Sequence, residues 1–411
     1  MKILFLTENF PPETNAAATR VYERACYWAK LGHEVTVITC APNFPHGKIF
    51  QGYQNRWRQS EQMSGINVIR VKTYIAANQG VLHRTLDFVS FGVMSYLAGL
   101  SQPRPDIVAA TSPQFFAAVA GWLIGASRRI PFVFELGDLW PASISAVGAM
   151  KKGWVLSLVE KFELFLYRRA TRVAALTRAF RENLIRRHID GAKIDIVLNG
   201  VDLPRYCPRE RDRELAGQYE VSNKFVIGYV GTHGMAHGLI NVLDTAEKLR
   251  DEPDILLLLA GAGAERNMLI AEAAARQLEN VVFLPPQPKE NMPAVWSLCN
   301  VALVHLKDSP AFAEVIPSKI FEAMAMGLPI LLAVPAGEAK SMLDGHKAGI
   351  WVPPENPDAL ADAVKSLHIQ PDLLKELAAA SLAAAPYHSR IKQAEEMITV
   401  FKKSLAGNSM P

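Results

Sequence analysis

Two glutamates, Glu314 and Glu322, stand eight positions apart in the segment Ala313–Pro329. Glu322 directly follows Ile320 and Phe321 in the first turns of a predicted helix. A carboxylate among apolar side chains is costly unless hydrogen-bond donors reach it, and a ribose diol would supply two such donors. The alternative interpretation is that both glutamates are solvated surface acids.

Ser318 and Lys319 stand at the predicted start of the same helix. Free backbone N–H groups at a helix start favour anions, and an ammonium group beside them adds positive charge. The pattern therefore predicts a phosphate contact along Ile316–Lys319.

A glycine-rich loop runs from Gly228 to Gly238 with the sequence GYVGTHGMAHG. It follows a predicted strand and precedes a predicted helix, which is the placement that phosphate-binding loops require. Its glycines allow a close backbone approach, and its two histidines could donate to a phosphate, although loop histidines are often structural or solvated. The candidate contacts are Gly231, Thr232, His233 and His237, joined by Gly261 in a second loop, Ala260–Ala264.

The loop after the first predicted strand, Thr7–Thr19, has small residues just before a helix. Small residues let a ligand approach a helix N-terminus, so Asn15 is a further candidate contact. No glycine lies between Met1 and Gly32, which argues against a dinucleotide fingerprint in this loop. The alternative is an ordinary connection between a strand and a helix.

Short β-rich apolar runs alternate with helical periods, which predicts βαβ units and parallel sheets covered on both faces. An irregular charged stretch at 199–223 divides the pattern into two doubly wound domains joined near residue 200. Ligands bind outside the carboxyl ends of such strands, so two facing sheets would place the site in the cleft between them. The predicted strands are Lys2–Thr7, Glu34–Cys40, Asn67–Thr73, Asp106–Thr111, Pro131–Glu135, Arg172–Leu176, Lys193–Leu198, Lys224–Val230, Ile255–Ala260, Val281–Leu284, Val301–Leu306 and Pro329–Val334.

Composition limits the class of protein. The length of 411 residues predicts two or three domains of about 150 residues each. The formal net charge of +4 is too small to indicate a nucleic-acid-binding protein.

The four cysteines form no CxxC pair, so we expect neither a zinc site nor a disulfide framework. Polar residues divide the long uncharged stretch Ile107–Ser127, and the first apolar run is too short for a signal peptide, so no transmembrane span is expected.

Three motifs, in order along the chain, resemble the retaining GT-B glycosyltransferases of the group 1 (family 4) type. Asn199–Asp202 matches the interdomain signature N-G-V-D. Glu314 and Glu322 match the E-x7-E motif, and Ala323–Pro329 matches its A-M-A-x-G-x-P continuation. The resemblance extends along nearly the whole chain.

The resemblance implies an α/β fold with two facing Rossmann-like domains and a deep cleft. Residues 1–198 would bind the acceptor and residues 199–385 the nucleotide sugar, and a last helix over about 386–411 would return to the first domain. It also implies a metal-independent transfer that retains the anomeric configuration and uses no cofactor besides the nucleotide-sugar substrate. A narrower match of Asp138–Pro141 and Ile316–Lys319 resembles the fucosaminyltransferase-like branch of O-antigen and capsule synthesis.

By position, the resemblance assigns Glu322 to the ribose hydroxyls, Glu314 to the donor sugar and Asp138 to the wall that faces the transferred sugar. The sequence departs from the family at Thr232 and His237, where an Arg and a Lys are usual, so we expect Lys319 to stabilise the leaving group. A second departure is Gly137, where relatives often have His or Arg. The expected catalytic residues are Glu314, Lys319 and Asp138, and the expected nucleotide-sugar contacts are Glu322, Ser318, Ile316, Gly231, Thr232, His233, His237, Gly261, Asn199 and Asn15.

Two predicted helices of the first domain bear on the acceptor. Leu82–Leu100 is apolar on nearly all sides after Asp87, and Lys151–Arg172 is basic around an apolar stripe. Each could be a core helix with a solvated face, or could lie on an anionic membrane surface. Together with the family branch they favour peripheral attachment to the inner face of the plasma membrane.

The sequence therefore predicts a cytoplasmic glycosyltransferase of bacterial surface polysaccharide synthesis. The expected donor is a UDP-linked N-acetylated deoxyhexosamine, and the expected acceptor is a saccharide on undecaprenyl diphosphate. The alternatives are a sugar-nucleotide epimerase or hydrolase on the same fold, or a non-catalytic sugar-nucleotide-binding partner.

Overall fold

The computed structural model describes residues 1–44, 46–75, 81–112, 114–139 and 154–407. These residues form two compact units. The first unit comprises Met1–Leu198 and Arg390–Pro411, and the second comprises Asn199–Ser389.

An eight-stranded sheet forms the centre of the first unit, in the order β3-β4-β2-β1-β5-β6-β7-β8. Neighbouring strands are parallel except for β3, which pairs antiparallel with β4 at the edge. The strand order reverses at β1, which lies between β2 and β5. The strands are Lys2–Leu6 (β1), Glu34–Cys40 (β2), Arg58–Met63 (β3), Ile66–Val71 (β4), Ile107–Thr111 (β5), Phe132–Leu136 (β6), Arg172–Ala175 (β7) and Ile194–Ile196 (β8).

Helices pack on this sheet through apolar side chains. Ile3 and Phe5 of β1 share a buried cluster with Trp28 of the Ala16–Lys30 helix and Phe401 of the Arg390–Ala406 helix. The indole N–H of Trp28 donates to the carbonyl of Ala394 at 3.0 Å, so the C-terminal helix belongs to this unit. The helices are, from the N-terminus, Ala16–Lys30, Val81–Leu100, Phe115–Arg128, Trp154–Arg169, Arg178–Arg186 and Arg390–Ala406, with a 3₁₀ turn at Gly191–Lys193.

The second unit contains a six-stranded, fully parallel sheet in the order β11-β10-β9-β12-β13-β14. Alternate residues of its strands enter two separate cores: Val226 and Val230 pack on one face, and Ile227 and Tyr229 on the other. Burial on both faces explains the nearly continuous apolar runs of its strands. The strands are Phe225–Val230 (β9), Ile255–Ala260 (β10), Val281–Leu284 (β11), Val301–His305 (β12), Ile330–Ala333 (β13) and Gly349–Val352 (β14).

The helices of the second unit are mostly short, and several follow directly on a loop at the carboxyl end of a strand. They are Arg213–Gln218, Ile240–Lys248, Arg266–Ala275, Met292–Ser297, Pro310–Ala313, Lys319–Ala325, Glu338–His346, Pro357–Ile369 and Pro371–Ala384. Turns of 3₁₀ helix lie at Met235–His237, Lys289–Asn291 and Ala385–His388.

Each predicted strand overlaps an observed strand, with its ends displaced by two residues at most. Strands β3 and β14 were not predicted. β3 has the sequence RQSEQM and lies at an exposed edge, so it carries no apolar alternation. β14 has four residues, too few for a period to be visible.

Candidate functional site

The predicted site residues divide between the two units. Asn15 and Asp138 belong to the first unit, and the others belong to the second. Most of them follow the carboxyl ends of strands, where α/β sheets bind ligands. In the second unit, the loops after β9 and β12 flank the point where the strand order reverses.

The glycine loop after β9 lies directly against the loop after β10. The Gly231 N–H donates to the Ala260 carbonyl at 2.9 Å, and the His233 N–H donates to the Ala262 carbonyl at 2.8 Å. Gly261 has a φ of +141°, and a Cβ there would lie 2.0 Å from the Gly231 carbonyl oxygen. Gly261 therefore allows the two loops to touch, and its contact with a ligand stays a prediction.

Lys319 is the first residue of the Lys319–Ala325 helix, and its side chain reaches the glycine loop. Its Nζ lies 3.5 Å from the centroid of the Tyr229 ring. It also lies 3.1 Å from the position that a Cβ on Gly231 would occupy. The residue is 7% exposed, and Nζ has no hydrogen-bond partner. Burial lowers the pKa of Lys319 to about 7, and the nearby Glu322 carboxylate opposes that shift.

Two histidines of the glycine loop lie beside this lysine. Both ring nitrogens of His233 and the Nδ1 of His237 are buried without a hydrogen-bond partner. Burial, assisted by Arg266 and Lys319, lowers the pKa of His233 to about 4. Burial and Lys319 lower the pKa of His237 to about 3. Both imidazoles are therefore neutral at pH 7, and each can offer one N–H to a ligand.

Thr232 is exposed on the same loop, and its carbonyl oxygen accepts a hydrogen bond from the Tyr229 hydroxyl at 2.8 Å. This bond fixes the loop over the ring that Lys319 contacts. Position 232 thus holds an uncharged side chain, and the Lys319 amine reaches the loop from a different element.

Glu322 lies one turn along the helix from Lys319. Its Oε2 accepts a hydrogen bond from the indole N–H of Trp296, which is fully buried, at 3.1 Å. This bond orients the carboxylate, and Oε1 has no protein partner within the described part of the chain. Glu322 is therefore a positioned carboxylate with one oxygen available to hydroxyl donors.

Glu314 directly follows the Pro310–Ala313 helix and is half-buried. A Cβ on Gly337 would lie 2.0 Å from the Ala313 carbonyl oxygen, so Gly337 lets this segment approach the loop after β13. The Ile316 side chain packs against the core, and contact of its backbone with a ligand stays a prediction. Ser318 precedes the Lys319–Ala325 helix without capping it through its side chain, so its hydroxyl is not used there.

Asn199 lies where the chain enters the second unit. Its Oδ1 accepts a hydrogen bond from the Gly200 N–H at 2.9 Å, and the Val201 N–H donates to the His388 carbonyl at 2.9 Å. The visible role of Asn199 is thus to shape the junction. Contact of Asn199 with a nucleotide sugar stays a prediction.

In the first unit, Asp138 follows β6 in a turn held by Ser112. The Gly137 and Asp138 N–H groups donate to the Ser112 Oγ at 2.9 and 3.2 Å. A Cβ on Gly137 would lie 2.6 Å from the Ser112 carbonyl oxygen and 2.9 Å from the Arg20 Nη2. A larger residue at 137 would collide with the Ser112 backbone.

Arg20 brings a positive charge to this turn from a neighbouring helix. It is buried and donates from Nε to Glu135 Oε1 at 3.0 Å and from Nη2 to Thr111 Oγ1 at 3.1 Å. The sequence analysis missed this residue. Glu23 and Arg24 share the buried face of its helix, so no apolar pattern in the sequence marks Arg20.

Asn15 caps the Ala16–Lys30 helix, because its Oδ1 accepts a hydrogen bond from the Ala18 N–H at 2.9 Å. Its Nδ2 is buried without a partner, so a ligand contact stays a prediction. The same loop contains Glu8, which the sequence analysis also missed. Glu8 is buried, and desolvation, with Asp87 and Glu13 nearby, raises its pKa well above the usual range.

The described residues contain neither a metal-binding cluster nor a membrane-spanning helix. No three His, Cys, Asp or Glu side chains in that part of the chain group closely enough to hold a metal ion. In the same residues, no helix has both the length and the apolarity to cross a bilayer.

Two family models match the chain, one in each half. Residues 15–200 match the glycosyl transferase 4-like domain, and residues 210–382 match the glycosyl transferases group 1 family. A putative colanic acid biosynthesis glycosyl transferase, WcaI, of Escherichia coli K12 is 28% identical over 90% of this chain and 93% of its own length. A GDP-mannose-dependent alpha-mannosyltransferase of Mycobacterium tuberculosis is 25% identical over 89% of this chain and 88% of its own length.

Solved structures resemble the whole chain in fold. Sucrose-phosphate synthase from Thermosynechococcus elongatus superimposes with a TM-score of 0.80 at 17% identity, over 99% of both chains. Anabaena Alr3699/HepE in complex with UDP-glucose superimposes with a TM-score of 0.71 at 18% identity, over 99% of both chains. The fold is therefore GT-B, with two Rossmann-like α/β domains, as the sequence predicted.

Proposed function

Because this chain belongs to the group 1 glycosyltransferases of GT-B fold, we propose that it transfers a sugar from a nucleoside-diphosphate donor to a lipid-linked saccharide. The observation that carries the donor assignment is the buried, unpartnered Nζ of Lys319 beside the glycine loop after β9. An unpaired buried cation is costly, and a diphosphate would supply the missing acceptors. The imidazoles of His233 and His237 would add neutral donors.

The remaining donor contacts follow from the same unit. Glu322 would hold the ribose hydroxyls with the oxygen that Trp296 leaves available. Glu314 would hold the donor sugar, and the backbone of Ile316–Lys319 would hold the diphosphate. In the first unit, Asp138 and its Ser112-bound turn would face the transferred sugar.

The proposed mechanism places positive charge where the leaving group accumulates negative charge. As the bond between the sugar and the diphosphate breaks, Lys319 and the backbone N–H groups stabilise the departing oxygen without a metal ion. The acceptor hydroxyl attacks from the same side and passes its proton to a phosphate oxygen, so the anomeric configuration is retained.

The proposed product belongs to bacterial surface polysaccharide synthesis, with an N-acetylated deoxyhexosamine as the first sugar to test. The WcaI relative carries a colanic acid assignment in its name, which supports a surface polysaccharide. Both uridine and guanosine diphosphate sugars are tested as donors, because one structural neighbour holds UDP-glucose and one relative depends on GDP-mannose.

Transfer by the purified full chain tests this proposal. A thermal-shift screen of UDP, GDP and their sugars should show stabilisation, because a ligand at about 100 times its Kd adds about 2.7 kcal/mol. The selected donor is then incubated with a saccharide on undecaprenyl diphosphate, with and without EDTA. We expect an EDTA-resistant product with retained configuration, and a loss of about 100-fold in Glu314→Gln.

Other outcomes would decide against transfer. Conversion of the free sugar nucleotide without acceptor would indicate an epimerase or a hydrolase. Stabilisation by a nucleotide sugar with no turnover on any lipid-linked saccharide would indicate a binding partner. Loss of transfer in EDTA would contradict metal independence.

We also propose that the first unit lies against the inner membrane surface. On the Trp154–Arg169 helix, Trp154 is 80% and Leu158 60% exposed, and both lie on one face. The Val81–Leu100 helix exposes Val93 and Leu97, and both helices flank Phe115–Arg128.

Exposed basic residues border the apolar face of the Trp154–Arg169 helix, which suits anionic lipid: Lys161, Arg168 and Arg169. Arg172 is paired with Asp195 at 2.5 Å, and Lys151 and Lys152 lie outside the described residues.

Leu158→Glu is expected to reduce binding to vesicles that contain anionic lipid by at least about fivefold, because it places a charge on the apolar face. Ile369→Glu is the matched control, since Ile369 is 73% exposed on the second unit and should not affect binding. Vesicle sedimentation at low salt measures both. Wild-type protein that ignores these vesicles would refute membrane attachment.

A further inference from the structure

We infer that, above neutral pH, Lys319 is mainly a neutral amine in the donor-free protein and takes up a proton from solution when a nucleoside diphosphate binds. This inference rests on the proposed donor site and adds a protonation step to it. Donor recognition would then be coupled to pH through one side chain.

The Lys319 amine is buried and has no hydrogen-bond partner among the described residues. Nζ is enclosed between the Tyr229 ring, 3.5 Å from its centroid, and the backbone at Gly231. No described residue hydrogen-bonds to it, and no described carboxylate lies within ion-pair distance. A charged ammonium in such a place has lost its water and gains only the attraction of the Tyr229 ring face, with no hydrogen-bond acceptor or carboxylate, so burial favours the neutral form.

The ionisable groups around Lys319 come from several elements. Glu322, on the same helix, is the nearest carboxylate and is oriented by Trp296. The groups that face Lys319 from β9 and its loop and from β12 are neutral at pH 7: Tyr229, His233, His237 and His305. Arg266, on the helix after β10, acts on His233. Two further carboxylates lie outside this group, Glu265 near Tyr229 and Glu355 near His305.

The balance changes when a diphosphate enters. Its oxygens supply hydrogen-bond acceptors and at least two negative charges, which favour the ammonium form. The pKa of about 7 in the free protein means that at pH 8 about nine-tenths of the molecules lack this proton. Binding at pH 8 should therefore consume about 0.9 proton, and the affinity should fall by up to about tenfold per pH unit above 7.

The histidines cannot supply the same effect at this pH. Their values of about 4 and 3 lie far below pH 8, so a bound phosphate would have to raise them by more than four units. Proton uptake at pH 8 therefore reports on the lysine rather than on the imidazoles.

Calorimetric titration of the full chain with UDP and with GDP tests the inference. At pH 8, the observed enthalpy is plotted against the ionisation enthalpy of HEPES, Tricine and Tris, and the slope gives the number of protons taken up. Wild-type protein is expected to give a slope near 0.9 with the nucleotide that binds. Lys319→Arg, which stays charged, and Lys319→Met, which cannot titrate, are expected to give slopes near zero.

Lys340→Met is the matched control. Lys340 also lies over an aromatic ring, 5.3 Å from that of Trp351, but it is paired with Asp344 at 2.5 Å. This variant should keep the wild-type slope. A nucleotide that binds wild-type protein with a slope near zero, or uptake that persists in Lys319→Met, would overturn the inference while leaving the donor site in place. Failure of both nucleotides to bind would overturn the proposed donor together with this inference.

Discussion

Lys319→Met is expected to lower the turnover number at saturating donor by about 10²–10³-fold, equivalent to about 3–4 kcal/mol of transition-state stabilisation. The reason is that the Lys319 amine reaches the glycine loop from the Lys319–Ala325 helix. Thr232 and His237 of that loop carry no charge at pH 7. The folded state should not suffer, because an apolar side chain replaces a buried amine that lacks a partner.

Steady-state kinetics and thermal unfolding of the same preparations check this result. Lys340→Met, which removes a surface ion pair over Trp351, should keep turnover within a factor of two. If Lys319→Met turned over at the wild-type rate with an unchanged KM, the stabilising charge would have to come from elsewhere in the chain.

The second large effect concerns the contact between the two glycine loops. Gly261→Ala is expected to lower the free energy of unfolding by roughly 2–4 kcal/mol and to abolish nucleotide stabilisation. The added Cβ would lie 2.0 Å from the Gly231 carbonyl oxygen, and the φ of +141° is one that alanine rarely adopts. Backbone must move on one side of the contact, and that backbone belongs to the proposed phosphate site.

Thermal and denaturant unfolding with and without UDP or GDP measure the effect. Gly217→Ala is the matched control, because a Cβ there meets nothing within 4 Å and the residue lies in the Arg213–Gln218 helix. Alanine in a helix should leave stability unchanged or raise it by up to about 1 kcal/mol. If Gly261→Ala were as stable as the wild-type protein, the loops after β9 and β10 could move apart without lowering the free energy of unfolding.

Much of the fold could be predicted from the sequence because its strands are buried on both faces. β2, β10 and β11 were predicted with their observed ends, and β10, which lies inside its sheet, is apolar and buried at every position. The edge strand β3 could not be predicted, because its exposed polar residues are specified by pairing with β4 and carry no pattern of their own.

The residues of the candidate site also divide into those that the sequence predicts and those that it does not. The glycines of the β9 loop predict a phosphate contact and Glu322 predicts a ribose contact, because each of these signals lies within a short stretch of chain. Arg20 and Glu8 were missed, because their burial depends on strands that are distant in sequence. A single arginine or glutamate near an apolar run is indistinguishable from a surface residue until those strands are in place.

The sequence alone thus determined the class of fold and the residue types of the site, since periodicity and motif spacing are local properties of the chain. Only the tertiary structure decided the state of those residues. Lys319 meets Tyr229, ninety positions earlier, because β9 and the helix that follows β12 meet at the point where the strand order reverses. That encounter removes the amine from water without giving it an acceptor, which is the physical reason that its proton is held so weakly.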